Sequence, residues 1–172
     1  MGKGSVVAGL RKRRPDLVLS VSATTRARRV QEVDGSDYHF LDDAAFDRLI
    51  QAGGLLEWAE FAGCRYGTPE APVREALDAG CDVLLEIEVQ GARQVRERQP
   101  GAVLVLLVPP SLDVLNERLA GRGTEEPSAI AARLAVARQE LAERDMFDHV
   151  VVNDRLEDAV DALDRILAAD GR

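Results

Sequence analysis

The residues in this sequence that are best suited to chemistry are those that could hold phosphate groups. Gly2-Lys3-Gly4-Ser5 precedes an apolar helical stretch and matches the last third of a phosphate-binding loop of the form G-x-x-x-x-G-K-[ST]. In such a loop, backbone N–H groups surround the phosphates and the lysine reaches the β- and γ-phosphates. Alone, a tetrapeptide rich in glycine and lysine is more typical of a disordered terminus. The interpretation therefore depends on the rest of the chain.

A second set of residues combines guanidinium, hydroxyl and carboxylate groups. Its cations and hydroxyls suit a phosphate monoester, and they are Ser22, Arg26, Arg29, Tyr38 and Tyr66. Glu57 and Thr68 flank them. A carboxylate accepts hydrogen bonds from both N1–H and the exocyclic amine of guanine, whereas adenine offers neither donor at those positions. The set therefore indicates a phosphate monoester that carries guanine.

A third group places cations on a segment that can hinge. Arg118, Arg122 and Arg133 bracket Gly121 and Gly123. This arrangement resembles a lid that closes for phosphoryl transfer. Taken singly, surface arginines are usually solvated and tyrosines usually pack half-buried. The three groups carry weight because they occur together and in this order.

Composition narrows the classes of function. The 172 residues carry a formal charge of −8, which disfavours binding of duplex nucleic acid through a broad basic surface. The one basic run, Arg11 to Arg14, is interpreted as the solvated end of a short helix. No apolar run approaches the length of a membrane span. Cys64 and Cys81 lack zinc-type spacing and are expected to be cytosolic thiols.

Apolar patterning predicts the elements that position these residues. Continuous runs rich in valine and leucine predict buried parallel strands, at 17–21, 83–87, 102–108 and 150–152. Helical spacing of apolar residues predicts helices at 44–52, 112–119, 128–144 and 156–167. Alternating strands and helices predict an α/β fold with a mostly parallel sheet and ligands beyond the strand carboxyl ends. Glycines divide the stretch between Arg26 and Gly80, which predicts a small inserted substrate subdomain.

In this order, the motifs resemble guanylate kinase. The matching segments are SVSATTR (20–26) with Arg29, GSDYHF (35–40), LEWA (56–59), YGT (66–68), IEVQGA (87–92), PPS (109–111), RLAGRG (118–123) and VVND (151–154). The resemblance covers essentially the whole chain. It implies a P-loop NTPase-like parallel sheet flanked by helices, in one domain over 1–172. The implied parts are a core (1–21, 83–115 and 138–172), a GMP-binding subdomain (22–82) and a helical lid (116–137).

The resemblance also implies the reaction and the site. The family transfers the γ-phosphoryl group of ATP to GMP with Mg²⁺, giving GDP and ADP in purine nucleotide metabolism. By position, GMP-binding residues are Ser22, Arg26, Arg29, Tyr38, Glu57, Tyr66, Thr68 and Glu88. ATP-binding residues are Gly2, Lys3, Gly4, Ser5, Arg118, Arg122 and Asn153. Lys3, Arg122 and Arg133 match the residues that act on the transferring group, where positioning and charge neutralisation replace a general base.

Three positions depart from the family's pattern. Glu86 and Glu88 stand where the family often has Asp, so the charge is kept while the side chain is longer by a methylene. We expect Glu86 to orient metal-bound water and Glu88 to approach the nucleotide; solvation of a strand end is the alternative. Gly4 replaces the Ser or Thr that normally ligates Mg²⁺ after the loop lysine, and Ser5 follows one place later.

The family also carries a first strand and a Gly-x-Ser-Gly segment before the Gly-Lys pair. A chain without them is expected to be unstable and nearly inactive, so the hypothesis is that the reading frame continues upstream. The competing functions are a catalytically impaired remnant, a non-catalytic guanylate kinase-like binding module, and a kinase of the same fold for another phosphorylated substrate. We expect a cytoplasmic enzyme that acts on GMP and ATP, with no nucleic acid, membrane or obligatory protein partner.

Overall fold

A computed structural model of the chain describes residues 2–120 and 127–170. In chain order the helices and strands are α1 (Lys3–Arg13), β1 (Val18–Leu19), β2 (Ala23–Thr24), β3 (His39–Phe40), α2 (Asp43–Gln51), β4 (Leu55–Phe61), β5 (Cys64–Pro69), α3 (Glu70–Asp78), β6 (Val83–Leu84), α4 (Val89–Arg98), β7 (Val105–Val108), α5 (Leu112–Ala120), α6 (Pro127–Ala142), β8 (His149–Val152) and α7 (Leu156–Asp170). The chain divides into two compact units, residues 15–102 and residues 1–14 with 103–172. The finer division into core, GMP-binding subdomain and lid stays a prediction.

The four predicted parallel strands occur where the sequence places them. β1, β6 and β7 are shorter than predicted, and β8 begins one residue earlier than predicted. β1 pairs with β6 and β7 pairs with β8, both in parallel. β1 and β6 are two residues long and half-buried, and Val150 and Val152 of β8 are exposed. The expectation of strands covered on both faces is therefore wrong for these three strands. Within the described residues each of these four strands has one hydrogen-bonded neighbour, and a strand with a free edge is less enclosed than a central one.

The unit formed by residues 1–14 and 103–172 is held together by its helices. α1 packs on α7 so closely that a Cβ at Gly9 would lie 2.8 Å from a methyl of Val160. At the end of α1, Arg13 pairs with Asp161, and Arg14 lies 2.6 Å from a carboxylate oxygen of Asp164. The basic run is therefore partly engaged in ion pairs with α7, which corrects the interpretation of a solvated helix end.

The predicted apolar faces of α5 and α6 pack against each other. Leu115, Leu119 and Ala137 are buried at their contact, and Leu134 packs beside them. The three- and four-residue spacing of these apolar residues allows this because it puts them on one face of each helix. In the sequence, α5 ends just before residues 121–126 and α6 begins just after them.

The second unit, residues 15–102, contains a four-stranded sheet that the sequence patterns did not resolve. Its strand order is β3-β2-β5-β4, with β2 parallel to β3 and antiparallel to β5. β4 and β5 form an antiparallel hairpin whose turn has positive φ at Ala62 and Gly63. Tight turns of this kind join antiparallel strands, and this explains why the chain is less uniformly parallel than expected.

The core of this sheet is formed against α2. Phe46 on α2 is fully buried, and its ring meets that of Trp58 edge-on at 6.4 Å between centroids. The guanidinium of Arg65 lies 4.9 Å from the Phe46 ring centroid and pairs with Asp43.

Within the described residues, none of the helices combines the length and hydropathy that a membrane span requires.

Candidate functional site

The strand register gathers the predicted phosphate-binding residues at one end of the four-stranded sheet. Ala23 and Thr24 of β2 pair with Gly67 and Tyr66 of β5, and on the other side with His39 and Phe40 of β3. Ser22 precedes β2 directly, and its carbonyl accepts a hydrogen bond from the His39 N–H at 2.9 Å. Residues distant in sequence are thus brought together on three adjacent strands.

Aromatic rings surround the guanidinium of Arg26. Its central carbon lies 5.4 Å from the Tyr38 ring centroid and 5.7 Å from that of Phe40, and the rings of Tyr38 and Tyr66 meet edge-on at 6.1 Å. Aromatic faces favour a nearby cation. The structure therefore brings together Arg26, Tyr38 and Tyr66, three of the predicted phosphate-binding residues.

Glu32 is a partner of this cluster that the sequence analysis missed. Arg26 donates from both terminal nitrogens to its carboxylate, at 2.7 and 3.0 Å, and the backbone N–H of Arg29 donates to it at 2.8 Å. Hydrogen bonding to Glu32 raises the pKa of Arg26, and the Arg26 hydrogen bond lowers the pKa of Glu32. An acid three positions after Arg29 in an arginine-rich loop was the available signal. The Arg29 side chain itself is exposed.

The predicted guanine-reading pair is buried. Glu57 is 4% exposed and Thr68 is fully buried, and the two face each other across β4 and β5. The Thr68 hydroxyl donates to Glu57 Oε1 at 2.6 Å. Burial raises the pKa of Glu57, opposed by the hydrogen bonds from Thr68 and reinforced by the negative charge of Glu88. A buried carboxylate with remaining acceptor capacity is suited to ligand N–H donors.

Glu86 and Glu88 act on different parts of this site. Glu86 is exposed and, after burial, is the second cause that raises the pKa of the Tyr38 phenol. Glu88 directly precedes α4 and acts on Glu57. Glu86 therefore lies within electrostatic reach of the predicted phosphate-binding residues, and Glu88 within reach of the predicted guanine-reading pair.

The other unit brings together part of the predicted ATP-binding set. α1 begins at Lys3, and Gly2 before it has φ of +76°. A Cβ at Gly2 would lie 3.1 Å from Asn153 Nδ2. Arg118 donates to the carbonyls of Asn153 and Asp154 at 2.8 and 3.0 Å. The first turn of α1 carries no acid, as suits an anion site at a helix N-terminus.

The remaining predicted residues are less closely grouped. Gly4 and Ser5 are exposed on α1, and Arg133 is exposed on α6. Arg122, with Gly121 and Gly123, lies outside the described residues.

Where the structure describes them, the acidic residues do not form a cage for a divalent cation. In residues 2–120 and 127–170, no three His, Cys, Asp or Glu side chains come together as a metal-binding group. Mg²⁺ commonly keeps several waters and is held mainly by nucleotide phosphates with one or two protein oxygens. In one unit the exposed Glu86 carboxylate, and in the other the exposed Ser5 hydroxyl, each provides an oxygen of the kind that this mode of binding uses.

Comparisons with known proteins settle the family. The sequence profile described as Guanylate kinase matches residues 2–170. The guanylate kinase of Nocardia farcinica is 58% identical over 165 residues, which cover 95% of this chain and 86% of that protein. That of Thermobifida fusca is 54% identical over 169 residues, covering 98% of this chain and 86% of that one. This chain belongs to the guanylate kinase family.

A solved structure gives the same result for the fold. The crystal structure of guanylate kinase from Anaplasma phagocytophilum matches 98% of this chain and 81% of its own, with a TM-score of 0.81 and 34% identity. The predicted α/β P-loop NTPase-like fold is confirmed. The prediction of a nucleoside monophosphate kinase, an ATP:GMP phosphotransferase, is also confirmed. The relatives named here are all kinases, and they give no support to a non-catalytic binding module.

Proposed function

We propose that residues 15–102 contain the GMP site of this guanylate kinase family member. Arg26, Tyr38 and Tyr66, with Ser22 and Arg29, bind the phosphate of GMP. Glu57, with Thr68 behind it, accepts the two N–H groups at the edge of guanine, and Glu88 approaches the nucleotide. The observation that carries this proposal is the buried Glu57–Thr68 pair in the same sheet as the aromatic-lined Arg26.

The ATP site belongs to the other unit in this proposal. Gly2, Lys3, Gly4 and Ser5 bind phosphates at the start of α1. Asn153 stands beside Gly2, and Arg118 donates to the Asn153 carbonyl. The contacts of Asn153 with Gly2 and Arg118 support this grouping. Lys3, Arg122 and Arg133 neutralise the charge of the transferring group. Because phosphoryl transfer demands little covalent chemistry from a protein, orientation and cationic charge provide most of the acceleration.

Mg²⁺ fits this site as a companion of ATP. It would supply charge neutralisation between the phosphates when bound. Glu86 would hold its waters, and the Ser5 hydroxyl stands next to the position that usually provides a ligand.

The acceptor assay tests the substrate. ADP formation from ATP and Mg²⁺ is measured with GMP, AMP and ribose 5-phosphate. GMP is expected to be the best acceptor because Glu57 finds its two donors only on guanine. AMP or ribose 5-phosphate performing as well as GMP would contradict the proposal.

The phosphate cluster is tested by replacing its central cation. Arg26→Ala is expected to raise the Kd of GMP about 30-fold or more, because a charge-assisted hydrogen bond contributes about 2 kcal/mol. Arg28→Ala is the matched control, since Arg28 is an exposed arginine of the same loop whose described hydrogen bond is a 3.3 Å contact to the Glu32 carbonyl. Equal effects of the two variants in titration calorimetry would refute the assignment of Arg26.

We also place the reaction in the cytoplasm, where ATP and GMP are available. Cys64 and Cys81 are free thiols in the structure, in agreement with a reducing compartment. Fractionation of the producing cells, followed by immunodetection, checks this.

A further inference from the structure

Helix α4 covers the free edge of the strand that carries Glu57. β4 is the outermost strand of the four-stranded sheet, and an open edge exposes unpaired backbone groups. The side-chain amide of Gln94 on α4 occupies that edge. Its Nε2 donates to the Trp58 carbonyl at 2.6 Å, and its Oε1 accepts from the Trp58 N–H at 3.2 Å.

One turn further along α4, a second side chain extends this contact. Arg98 donates to the carbonyls of Leu55 and Leu56 at 2.7 and 3.2 Å. The backbone on both sides of Glu57 is therefore bound by the same helix. Two hydrogen bonds from one amide restrict the position and the direction of the Trp58 peptide more than one bond would.

One turn earlier, Gly91 leaves the space that the Glu57 carboxylate occupies. A Cβ at Gly91 would lie 2.1 Å from Glu57 Oε2 and 2.9 Å from its Cδ. Cβ atoms essentially never lie within 3.0 Å of such an atom, so one of the two must shift. Any larger residue at position 91 would therefore displace the carboxylate. The other oxygen, Oε1, is held by Thr68. The carboxylate thus lies between the hydroxyl of β5 and the backbone of α4.

We propose that Gly91 and Gln94 are positioning residues for guanine specificity: Gln94 fixes the backbone that carries Glu57, and Gly91 fixes where its carboxylate lies. This inference rests on the proposed role of Glu57 in reading guanine. α4 begins immediately after Glu88. The helix that contacts Glu57 is therefore continuous in the chain with the segment that carries Glu86 and Glu88.

The test compares GMP with IMP, the same nucleotide without the 2-amino group. Titration calorimetry on the whole chain gives both Kd values for the wild type and for Gly91→Ala. Gly91→Ala is expected to raise the Kd of GMP about tenfold or more, because a displaced Glu57 loses a hydrogen bond to its ligand. The Kd of IMP should rise less. The preference for GMP, measured as the ratio of the IMP Kd to the GMP Kd, should therefore fall. A general loss of folding would not select between these ligands.

Two further variants keep the test decisive. Gln94→Met removes both hydrogen bonds to Trp58 without adding bulk, and it carries the same expectation if Gly91→Ala does not fold. Gly101→Ala is the control for a glycine-to-alanine change, because a Cβ there meets nothing within 4 Å. It should keep both Kd values.

Glu57→Gln separates failure of the inference from failure of the site assignment. If Glu57→Gln narrows the GMP preference while Gly91→Ala and Gln94→Met leave it unchanged, the positioning role is wrong and the role of Glu57 stands. If Glu57→Gln leaves the preference unchanged, the assignment of Glu57 and this inference both fail. In a double-mutant cycle, Gly91→Ala should narrow the preference much less in the Glu57→Gln background than in the wild type.

Discussion

At the scale of single residues, the site contains one carboxylate whose environment opposes its charge and one whose environment favours it. Glu57 is buried with an elevated pKa, caused first by desolvation. Glu32 has a lowered pKa because Arg26 and the Arg29 N–H donate to it. In the proposed site, Glu57 accepts hydrogen bonds from the N–H groups of GMP. Glu32 binds the arginine-rich loop that contains Arg26 and Arg29. We therefore expect the stability contributed by each of these two carboxylates to depend on pH in opposite directions.

Glu57→Gln is expected to stabilise the ligand-free protein at neutral pH while weakening GMP binding. A carboxyl with a raised folded-state pKa favours the folded state below its unfolded pKa, and that contribution is lost as the pH rises through the folded pKa. At pH 7 the buried charge is therefore unfavourable, and removing it should raise the Tm by a few degrees. The gain should disappear toward pH 4. Thermal melts across this range measure it, and a Tm gain that is the same at every pH would contradict the account.

Glu32→Gln should behave in the opposite way. A carboxyl with a depressed folded-state pKa contributes stability above its unfolded pKa and loses it as the pH falls through the folded value. The variant should therefore have a lower Tm than the wild type at pH 7, and the two should converge in acid. The matched control is Glu60→Gln, an exposed residue of the same unit, which should match the wild type throughout. A Tm difference for Glu32→Gln that persists in acid would refute the ion-pair explanation.

At the scale of elements, the contacts of α2 and α4 with the four-stranded sheet determine where the site residues lie. α2 fills one side of the sheet through Phe46, and α4 binds the edge of β4 through Gln94 and Arg98. Helical spacing in the sequence predicted α2 at 44–52, whereas α4 was not separated from loop. Its ten residues, VQGARQVRER, carry too few apolar positions for a clear helical period.

Phe46→Ala tests the contact of α2 with the sheet. The variant is expected to lose about 3–5 kcal/mol of the free energy of unfolding, because an aromatic side chain is removed from a closed site. Val30→Ala is the control: Val30 is fully exposed in the same unit and should change stability by less than about 0.5 kcal/mol. Urea unfolding measures both. A loss below about 1 kcal/mol for Phe46→Ala would mean that α2 does not stabilise the sheet in this way.

At the scale of the whole molecule, the proposed substrates divide between two compact units. The residues assigned to GMP lie within 15–102, and those assigned to ATP lie within 1–14 and 103–172. A ligand that binds only the folded chain stabilises it by mass action. GMP should therefore stabilise the unit formed by residues 15–102, and ATP should stabilise the unit formed by residues 1–14 and 103–172.

GMP at about 100 times its Kd should add about 2.7 kcal/mol to the free energy of unfolding, which corresponds to a Tm increase of about 5–10 °C for a chain of this size. AMP at the same concentration should have little effect, because it lacks the donors that Glu57 accepts. Thermal melts with the two nucleotides measure this. Equal stabilisation by AMP and GMP would contradict recognition of guanine.

The family and the reaction could be predicted from the amino-acid sequence alone, which also provided the residue types of the proposed site. Local periodicity was sufficient for α2, α5, α6 and α7, and the order of short motifs carried the rest. These features are readable because helical spacing and turn chemistry are properties of neighbouring residues.

The partners of each residue in the proposed site became known from the tertiary structure. It paired Arg26 with Glu32, divided the influence of Glu86 and Glu88 between Tyr38 and Glu57, and set Gly91 against the Glu57 carboxylate. Trp58 and Gln94 are separated by 36 positions in the chain, and no local pattern relates them. Such contacts arise because a free strand edge and a buried charge both require partners, and packing determines which distant residue supplies them.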